Sequence, residues 1–309
     1  MIGWIIYRKS ENELNIENDH AILRLIEEAQ SRYIELRVYH HRNISFHFTS
    51  SKITFLYEGF PVPAPDFVLS RRGANTTQEC YQLLHALRAA GTILINTPEG
   101  IALAQDKLMS GVYLSQKGLP IPRTQSINSS GAIEHCKSNF HFPMILKKPI
   151  GKRGSSVMKC HDEELFEDSV HMSGLENGTL LAQEFIKTSY GKDLRVFVIG
   201  NKAVACMQRV AKAGGYKSNF SMGGHVESFP LTDLIQDISV KSAQAIGLDI
   251  AGVDLLFCDE ERFSICEVNS APGFKGLELA TNINVASKII SYACEKLKDK
   301  NNHASQETI

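Results

Sequence analysis

The sequence predicts a mixed α/β and α+β fold in three parts, a small doubly wound N-terminal unit followed by two α+β subdomains. Three observations carry that expectation. Strand-like and helix-like patterns alternate in β-α-β order as far as Asn96, and beyond it the pattern changes to one that suits α+β units. Near the C-terminus, two apolar segments, 251–257 (AGVDLLF) and 263–270 (FSICEVNS), flank a polar pentapeptide as the arms of a hairpin do. Composition agrees: 309 residues with 43% apolar and 22% charged side chains suffice for two or three compact units and exclude a disordered or fibrous chain.

The elements follow in order. Residues 3–7 form an apolar first strand, 20–30 a helix with Ile22, Leu25, Ile26 and Ala29 on one face, and 34–38 a second strand. Two further extended pieces, 53–57 and 67–69, surround a Pro-rich turn over 61–65. Thr76 or Thr77 caps a helix reaching Ala90, and 92–96 is the next strand, which closes a Rossmann-like N-terminal domain over 1–96. A helix over 105–117, a strand over 144–148, a helix over 163–170 and a strand over 180–186 compose an α+β central subdomain, a lid, spanning 97–186. The C-terminal subdomain, 187–299, holds an antiparallel sheet and amphipathic helices over 232–246 and 284–298, and the polar stretch 300–309 reads as a disordered tail.

Several function classes fall away. A formal net charge of −1 gives no electrostatic case for nucleic acid. The start, MIGWIIY, is apolar but too short for a signal peptide or membrane span, and Arg8 and Lys9 follow it rather than precede it. Seven cysteines, an odd number without a repeated spacing and mostly in apolar runs, read as reduced core thiols and point to a cytoplasmic location. His40, His41 and His225 lack metal-ligand spacing to a cysteine or a second histidine and read as structural or exposed.

The hairpin carries the chemistry. With its turn centred between Glu260 and Glu261, Asp254 falls directly opposite Glu267, with Cβ atoms roughly 4.5–5.5 Å apart. Asn269, two residues on, projects from the same face. Like charges directly across a sheet are destabilising, and Val253, Leu255, Ile265 and Val268 half-bury these ones. A hard divalent cation removes the penalty. Mg²⁺ fits two carboxylates and an amide oxygen, completing its shell with water and nucleotide phosphates, and Mn²⁺ is the natural substitute. The competing reading is a solvated hairpin face with unrelated acids. Past the strand, Pro272 fixes φ and Gly273 frees it, so the backbone can approach a ligand closely.

Two other segments bear on an anionic ligand. Lys147 ends an apolar strand that opens into GKRGSS, where Gly151 and Gly154 expose backbone N–H groups and Ser155 and Ser156 add donors, as phosphate cradles do. The spacing is not that of a P-loop. A Gly-Ser hairpin turn is the plainer reading of the loop taken alone. Arg195 lies in an otherwise apolar strand and wants an anionic partner.

Taken together, EVNSAPGFKG (267–276), GVDLL (252–256), QEFI (183–186), ILKKPIGKRGSS (145–156) and QDKL (105–108) resemble the ATP-grasp superfamily, and most closely the RimK-type amino-acid ligases, over residues 93–297. The resemblance implies a three-part ATP-grasp fold holding ATP between two α+β subdomains. It implies Lys107 and Lys147 at the nucleotide phosphates, Gln183, Glu184, Phe185 and Ile186 as the hinge strand beside adenine, and Asp193 near the ribose. It aligns Arg209 and the triplet Lys217-Ser218-Asn219 with residues that hold phosphate and substrate carboxylate, although the family has arginine where Lys217 stands and so loses its bidentate fork here. Arg71 matches an arginine of the N-terminal domain that could hold a substrate carboxylate; a solvated basic turn at Arg71-Arg72 is the alternative. Arg195, Asn219, Gly273 and Lys275 complete the expected substrate side.

The implied activity is ATP-dependent carboxylate–amine ligation. An acyl phosphate would form and an amine displace phosphate, with Lys107, Lys147 and Arg209 aligning and neutralising the transferred group and no protein nucleophile required. The partners expected are an amino acid, glutamate by analogy, and a carboxylate on a small molecule, peptide or protein, with homo-oligomers common among such ligases. A peptide macrocyclase, a small-molecule kinase and a non-catalytic nucleotide-binding module are the rival readings.

Overall fold

The computed structural model describes residues 1–151, 157–173, 178–212 and 224–306. Its first elements are β1 (Ile2–Tyr7), α1 (His20–Gln30), β2 (Glu35–His40), β3 (Ile44–Phe48), β4 (Ile53–Tyr57), β5 (Phe60–Val62), β6 (Phe67–Ser70), α2 (Gln78–Ala89) and β7 (Ile93–Ile95). Strands β2, β1, β6 and β7 lie side by side in that order, all parallel. Period-two alternation sorts their side chains, so that Ile5, Val38, Phe67 and Leu69 face α1 while Trp4, Ile6 and Val68 face α2. The sheet is doubly wound, as expected. Pro61, assigned to a turn by the sequence, instead sits in β5 opposite Leu56. That strand is the edge of a three-stranded antiparallel sheet with β3 and β4, where a missing N–H costs no ladder bond.

Next come α3 (Pro98–Gln105), α4 (Lys107–Gln116), β8 (Thr124–Ile127), α5 (Ser130–Asn139), β9 (Met144–Lys147), β10 (Val157–Cys160), α6 (Glu163–Ser173) and β11 (Leu180–Glu184). The helix expected over 105–117 is α4, and α3 before it was not expected. Asp106 leaves helical geometry (φ −99°, ψ 108°), and its carboxylate accepts from the backbone N–H groups of Leu108 and Met109, so it caps α4. Strands β10, β9, β11 and β8 form an antiparallel sheet whose core (Ile133, Leu146, Phe166, Val170, Ala182) draws only on residues between Ile127 and Ala182. Leu114 and Leu119, which the sequence reading grouped with this lid, pack into the core of the C-terminal sheet.

The last elements are β12 (Lys192–Ile199), β13 (Lys202–Val210), β14 (His225–Ser228), α7 (Asp233–Ile246), β15 (Ile250–Phe257), β16 (Phe263–Asn269), α8 (Lys275–Thr281) and α9 (Val285–Gln306). The sheet order is β14-β13-β12-β15-β16, antiparallel throughout. One face, with Leu194, Val196 and Val253, packs on Ile235, Ala243 and Ile246 of α7. The other face, with Phe197, Ile199 and Met207, shares a core with α9, α1 and the N-terminal sheet. The two outer parts of the chain thus share one core, and among the described residues the lid has a separate one.

Helix α9 runs on to Gln306 rather than ending near Lys298, so the stretch expected to be disordered is helical to that residue; 307–309 lie outside the described residues. A helix nucleated by buried Val285, Ile289, Ile290 and Ala293 propagates over polar residues at little cost, and Lys300 donates to the carbonyl of Gly91. Among the described residues no helix is long and apolar enough to cross a membrane. All seven cysteines are free thiols.

Candidate functional site

Asp254 faces Glu267 as expected, but by another route. The hairpin turn closes with Cys258 N–H donating to the Arg262 carbonyl, which centres it on Glu260 and pairs Phe257 with Phe263, Leu256 with Ser264 and Leu255 with Ile265. Continued unbroken, that register would set Asp254 opposite Cys266. A bulge at Cys266 shifts the ladder by one residue, and beyond it Asp254 pairs with Glu267, Val253 with Val268 and Gly252 with Asn269. The bulge therefore assembles the acidic pair.

Asn269 bridges the two acids. Its Nδ2 lies 3.2 Å from Glu267 Oε1 and 3.4 Å from Asp254 Oδ2, and it also donates to the Gly252 carbonyl at 3.3 Å. A half-turn of the amide exchanges Nδ2 for Oδ1 at the same place, which is the atom a cation would meet. Among the described residues no three or more His, Cys, Asp or Glu side chains are grouped to hold a metal, so the donor set here is two carboxylates and one amide. Such hard oxygen donors fit Mg²⁺. Glu267 forms no ion pair among the described residues, leaving its charge for a ligand.

Asp254 is 3% exposed and already paired. Arg195 engages both of its oxygens, through Nε to Oδ1 and through Nη2 to Oδ2 at 2.8 Å, and Arg209 Nη2 reaches Oδ2 at 3.0 Å. Arg209 also forks onto Asp193, at 2.7 and 2.5 Å. Burial raises the Asp254 pKa, but the two guanidiniums outweigh it and hold the carboxyl below its ordinary range. Burial likewise lowers Arg209, and Asp254 and Asp193 more than reverse it. Gly252 makes room for this chain of charges: a Cβ there would stand 2.6 Å from Pro272 Cβ and 3.2 Å from Arg195 Nη1.

Lid residues supply the opposing surface. Lys147 and Val157, with Leu181, make one cross-strand row, and Lys159, Ile145 and Gln183 the next, so all point to one face. Lys147 is 6% exposed, and its Nζ donates to Gln183 Oε1 at 2.8 Å, whose Nε2 donates to Thr124 Oγ1 at 2.9 Å. Burial holds the Lys147 pKa below the ordinary lysine value, with Cys266 and Glu267 raising it and Lys107 lowering it, which puts both lysines and the acidic hairpin in one neighbourhood. Lys107 Nζ lies 3.4 Å from the Gly151 carbonyl, and its backbone N–H donates to Pro149 at 3.0 Å.

The remaining expected residues fall as follows. Strand β11 ends at Glu184, which is exposed; Phe185 and Ile186 form the crossing to the C-terminal sheet. Arg71 donates through Nη2 to the Pro272 carbonyl at 2.6 Å and lies over the Phe274 ring, and burial pushes its pKa down to about 10. Gly273 and Lys275, at the start of α8, are exposed. His41 is buried and His225 exposed. Gly154, Ser155, Ser156, Lys217, Ser218 and Asn219 lie outside the described residues. Sequence reasoning missed Thr124, Lys159 and Tyr190: Lys159 Nζ sits 4.7 Å from the Phe185 ring and 4.9 Å from that of Tyr190. It also missed Asn96, a polar residue closing the apolar run 93–95, whose position there was the available signal.

Known proteins share this architecture. Residues 15–101 match the RimK PreATP-grasp domain and 104–293 the RimK-like ATP-grasp domain. A probable alpha-L-glutamate ligase of Thioalkalivibrio sulfidiphilus is 35% identical over 88% of this chain and 91% of its own length. Among solved structures, the ATP-grasp ligase PsnB complexed with minimal precursor, Mg and ADP has a TM-score of 0.72 at 18% identity, covering 96% of this chain and 98% of that one. The macrocyclase MdnC of Microcystis aeruginosa, bound with precursor peptide MdnA, has a TM-score of 0.71 at 13% identity, covering 96% and 100%. These two share the fold. Both domain matches and the sequence relative establish that the chain belongs to the RimK-like ATP-grasp family and is a carboxylate–amine ligase.

Proposed function

We propose that this ligase holds Mg·ATP between the lid face of Lys147 and the hairpin of Asp254, Glu267 and Asn269, and joins an amino acid, glutamate in first place, to a carboxylate of a small molecule, peptide or protein. The observation that carries the reading is the bulged hairpin, which brings two carboxylates and an amide together beside Lys147. Bound Mg²⁺ would neutralise phosphate charge there, and Mn²⁺ would serve the same donors.

The residues then have distinct tasks. Lys147, oriented by Gln183, and Lys107 bring two ammonium groups to the triphosphate. Arg195 and Arg209 hold the Asp254 carboxylate ionised and aimed, and Arg209 adds positive charge where the transferred phosphoryl group accumulates negative charge. An oxygen of the acceptor carboxylate attacks the γ-phosphorus, ADP leaves, and an acyl phosphate results. The amine then attacks the acyl carbon, loses a proton and expels inorganic phosphate, leaving an amide. Alignment and charge neutralisation suffice for both steps.

Glutamate is favoured over ring closure within a peptide because the 35% identical relative is named a glutamate ligase, whereas the macrocyclase shares the fold at 13% identity. The test is phosphate release from Mg·ATP across a panel of amino acids and carboxylate acceptors. Amine-dependent release with incorporation of labelled glutamate is expected. Release that needs a hydroxyl compound, or nucleotide binding without turnover, would overturn the reading in favour of a kinase or a binding module. Lys147→Ala should raise the Kd for ATP about ten- to a hundredfold, the loss of one buried charge-assisted contact.

A further inference from the structure

We infer that Asn96 is a positioning residue for the metal-binding hairpin, a side chain that replaces the missing rung at its open end. The inference rests on the proposed Mg²⁺ site. Below the trio the ladder is interrupted by the Cys266 bulge, and above it the strands part after the Gly252–Asn269 pair, so the donors sit on only three consecutive pairs. A ladder that short, next to a bulge, has little to fix its spacing. Asn96 supplies the fixing. Its Nδ2 donates to the Ile250 carbonyl on β15 and to the Ser270 carbonyl just beyond β16, both at 2.8 Å, while its Oδ1 accepts from Ile250 N–H, also at 2.8 Å. One amide thus imitates a peptide group and ties both strands together, four residues from Asp254 and one from Asn269.

Burial makes the arrangement rigid. Asn96 is 1% exposed, and all three of its partners are main-chain atoms of buried residues. Asn96 directly follows Ile95, the last residue of β7, so the N-terminal sheet sets where the amide stands. The same sheet holds the following loop, through Arg71 on the Pro272 carbonyl and through Gly73, where a Cβ would stand 3.2 Å from Ala271 Cβ. The N-terminal unit therefore reaches the metal site by way of its backbone rather than by offering a ligand.

The experiment measures the Mg²⁺ concentration that half-saturates ADP binding, by calorimetry, in the full chain. Asn96→Asp keeps the size and the acceptor but loses both donors. It should raise the Mg²⁺ requirement at least tenfold, the scale seen when a residue supporting metal ligands is lost, while ADP binding without Mg²⁺ and the folded fraction at the assay temperature stay unchanged. An unaltered Mg²⁺ requirement together with a lower melting temperature would overturn the inference and leave Asn96 a merely structural residue. If Asn96→Asp does not fold, Asn96→Ser, which retains one donor, decides by the same criterion. A wild-type chain whose ADP binding ignores Mg²⁺ would instead overturn the proposed metal site itself.

Discussion

The lid and the body that faces it are built on opposite principles. Among the described residues the lid's core is made from its own residues, Ile127 to Ala182. The body merges the N-terminal and C-terminal sheets through α9 into one core, with Phe274 and Leu277 packed beneath the loop that leaves the acidic hairpin. Binding groups divide along the same line. The lid holds Lys147 through the uncharged side chains of Gln183 and Thr124, whereas the body holds Asp254 by ion pairs to two arginines.

The largest effects should come from the body's charges, and they should separate two acids that look equivalent in sequence. Glu267→Gln is expected to lower turnover on the order of a thousandfold, the scale of removing a main electrostatic support, with the melting temperature near that of the native chain. Asp254→Asn should abolish turnover as well, but it leaves Arg195 and Arg209 short of a buried partner and should cost about 3–5 kcal/mol of stability. Steady-state rates with calorimetric melts decide this. Equal stability of the two variants would break the distinction between an anchored and an open acid.

Truncating each core sharpens the comparison. Phe166 and Phe274 are both fully buried, one in the lid and one in the body, and each change to Ala should cost about 3–5 kcal/mol. In Phe166→Ala, hydrogen exchange should rise across 124–184 alone, with the five-stranded sheet still protected. In Phe274→Ala, protection should fall in the N-terminal and C-terminal sheets together. Exchange that rises everywhere in both variants would mean that lid and body share one cooperative unit.

How much of this was legible in the sequence follows the same division. Apolar runs in the N-terminal strands, the cap at Thr76 or Thr77, and the apolar runs that become β12 and β15 are local signals, and they indicate the sheets and most helices. The pairing of Asp254 with Glu267 was reached from a turn placed half a residue off and rescued by a bulge at Cys266, a residue with no local mark of bulging. What the sequence could not show is partnership across distance. Arg195 was read as wanting an anion, and the anion proved to be Asp254, 59 positions away; Arg71 was set against a substrate carboxylate, and the structure gives its Nη2 a backbone carbonyl. Helix α3 escapes the sequence reading because its eight residues are too short to show a helical period, and Asp106 shows itself as the cap of α4 only once its bonds to Leu108 and Met109 are seen.

A smaller effect should appear in acid, on the N-terminal side of the body. Burial lowers His41 to about 4 from the ordinary 6.5, with Arg72, His40 and Arg42 adding to the fall and Glu79 opposing it. Between those values the unfolded chain binds more protons than the folded one, so stability is complete above about 6.5 and falls as pH drops towards 4. The loss is at most about 3 kcal/mol. His41→Gln should flatten the stability profile in that window, read from denaturant midpoints, and an unchanged slope would assign it to other groups.

The smallest effect tests the lid's neutral chain. Thr124 Oγ1 accepts from Gln183 Nε2 at 2.9 Å and donates to the Pro122 carbonyl at 2.8 Å. Thr124→Val keeps the shape and removes both bonds, loosening Gln183 and, through it, the Lys147 ammonium. One neutral hydrogen bond contributes about 1 kcal/mol, so ATP binding should weaken about fivefold with the amino-acid KM unmoved. In the proposed complex Thr124 acts on the nucleotide only by orienting Gln183 and Lys147, so a change confined to the ATP constant is what a positioning chain on the lid requires. A matching rise in the amino-acid KM would show instead that the lid surface also contacts the acceptor side, and the division of labour between the two cores would have to be redrawn.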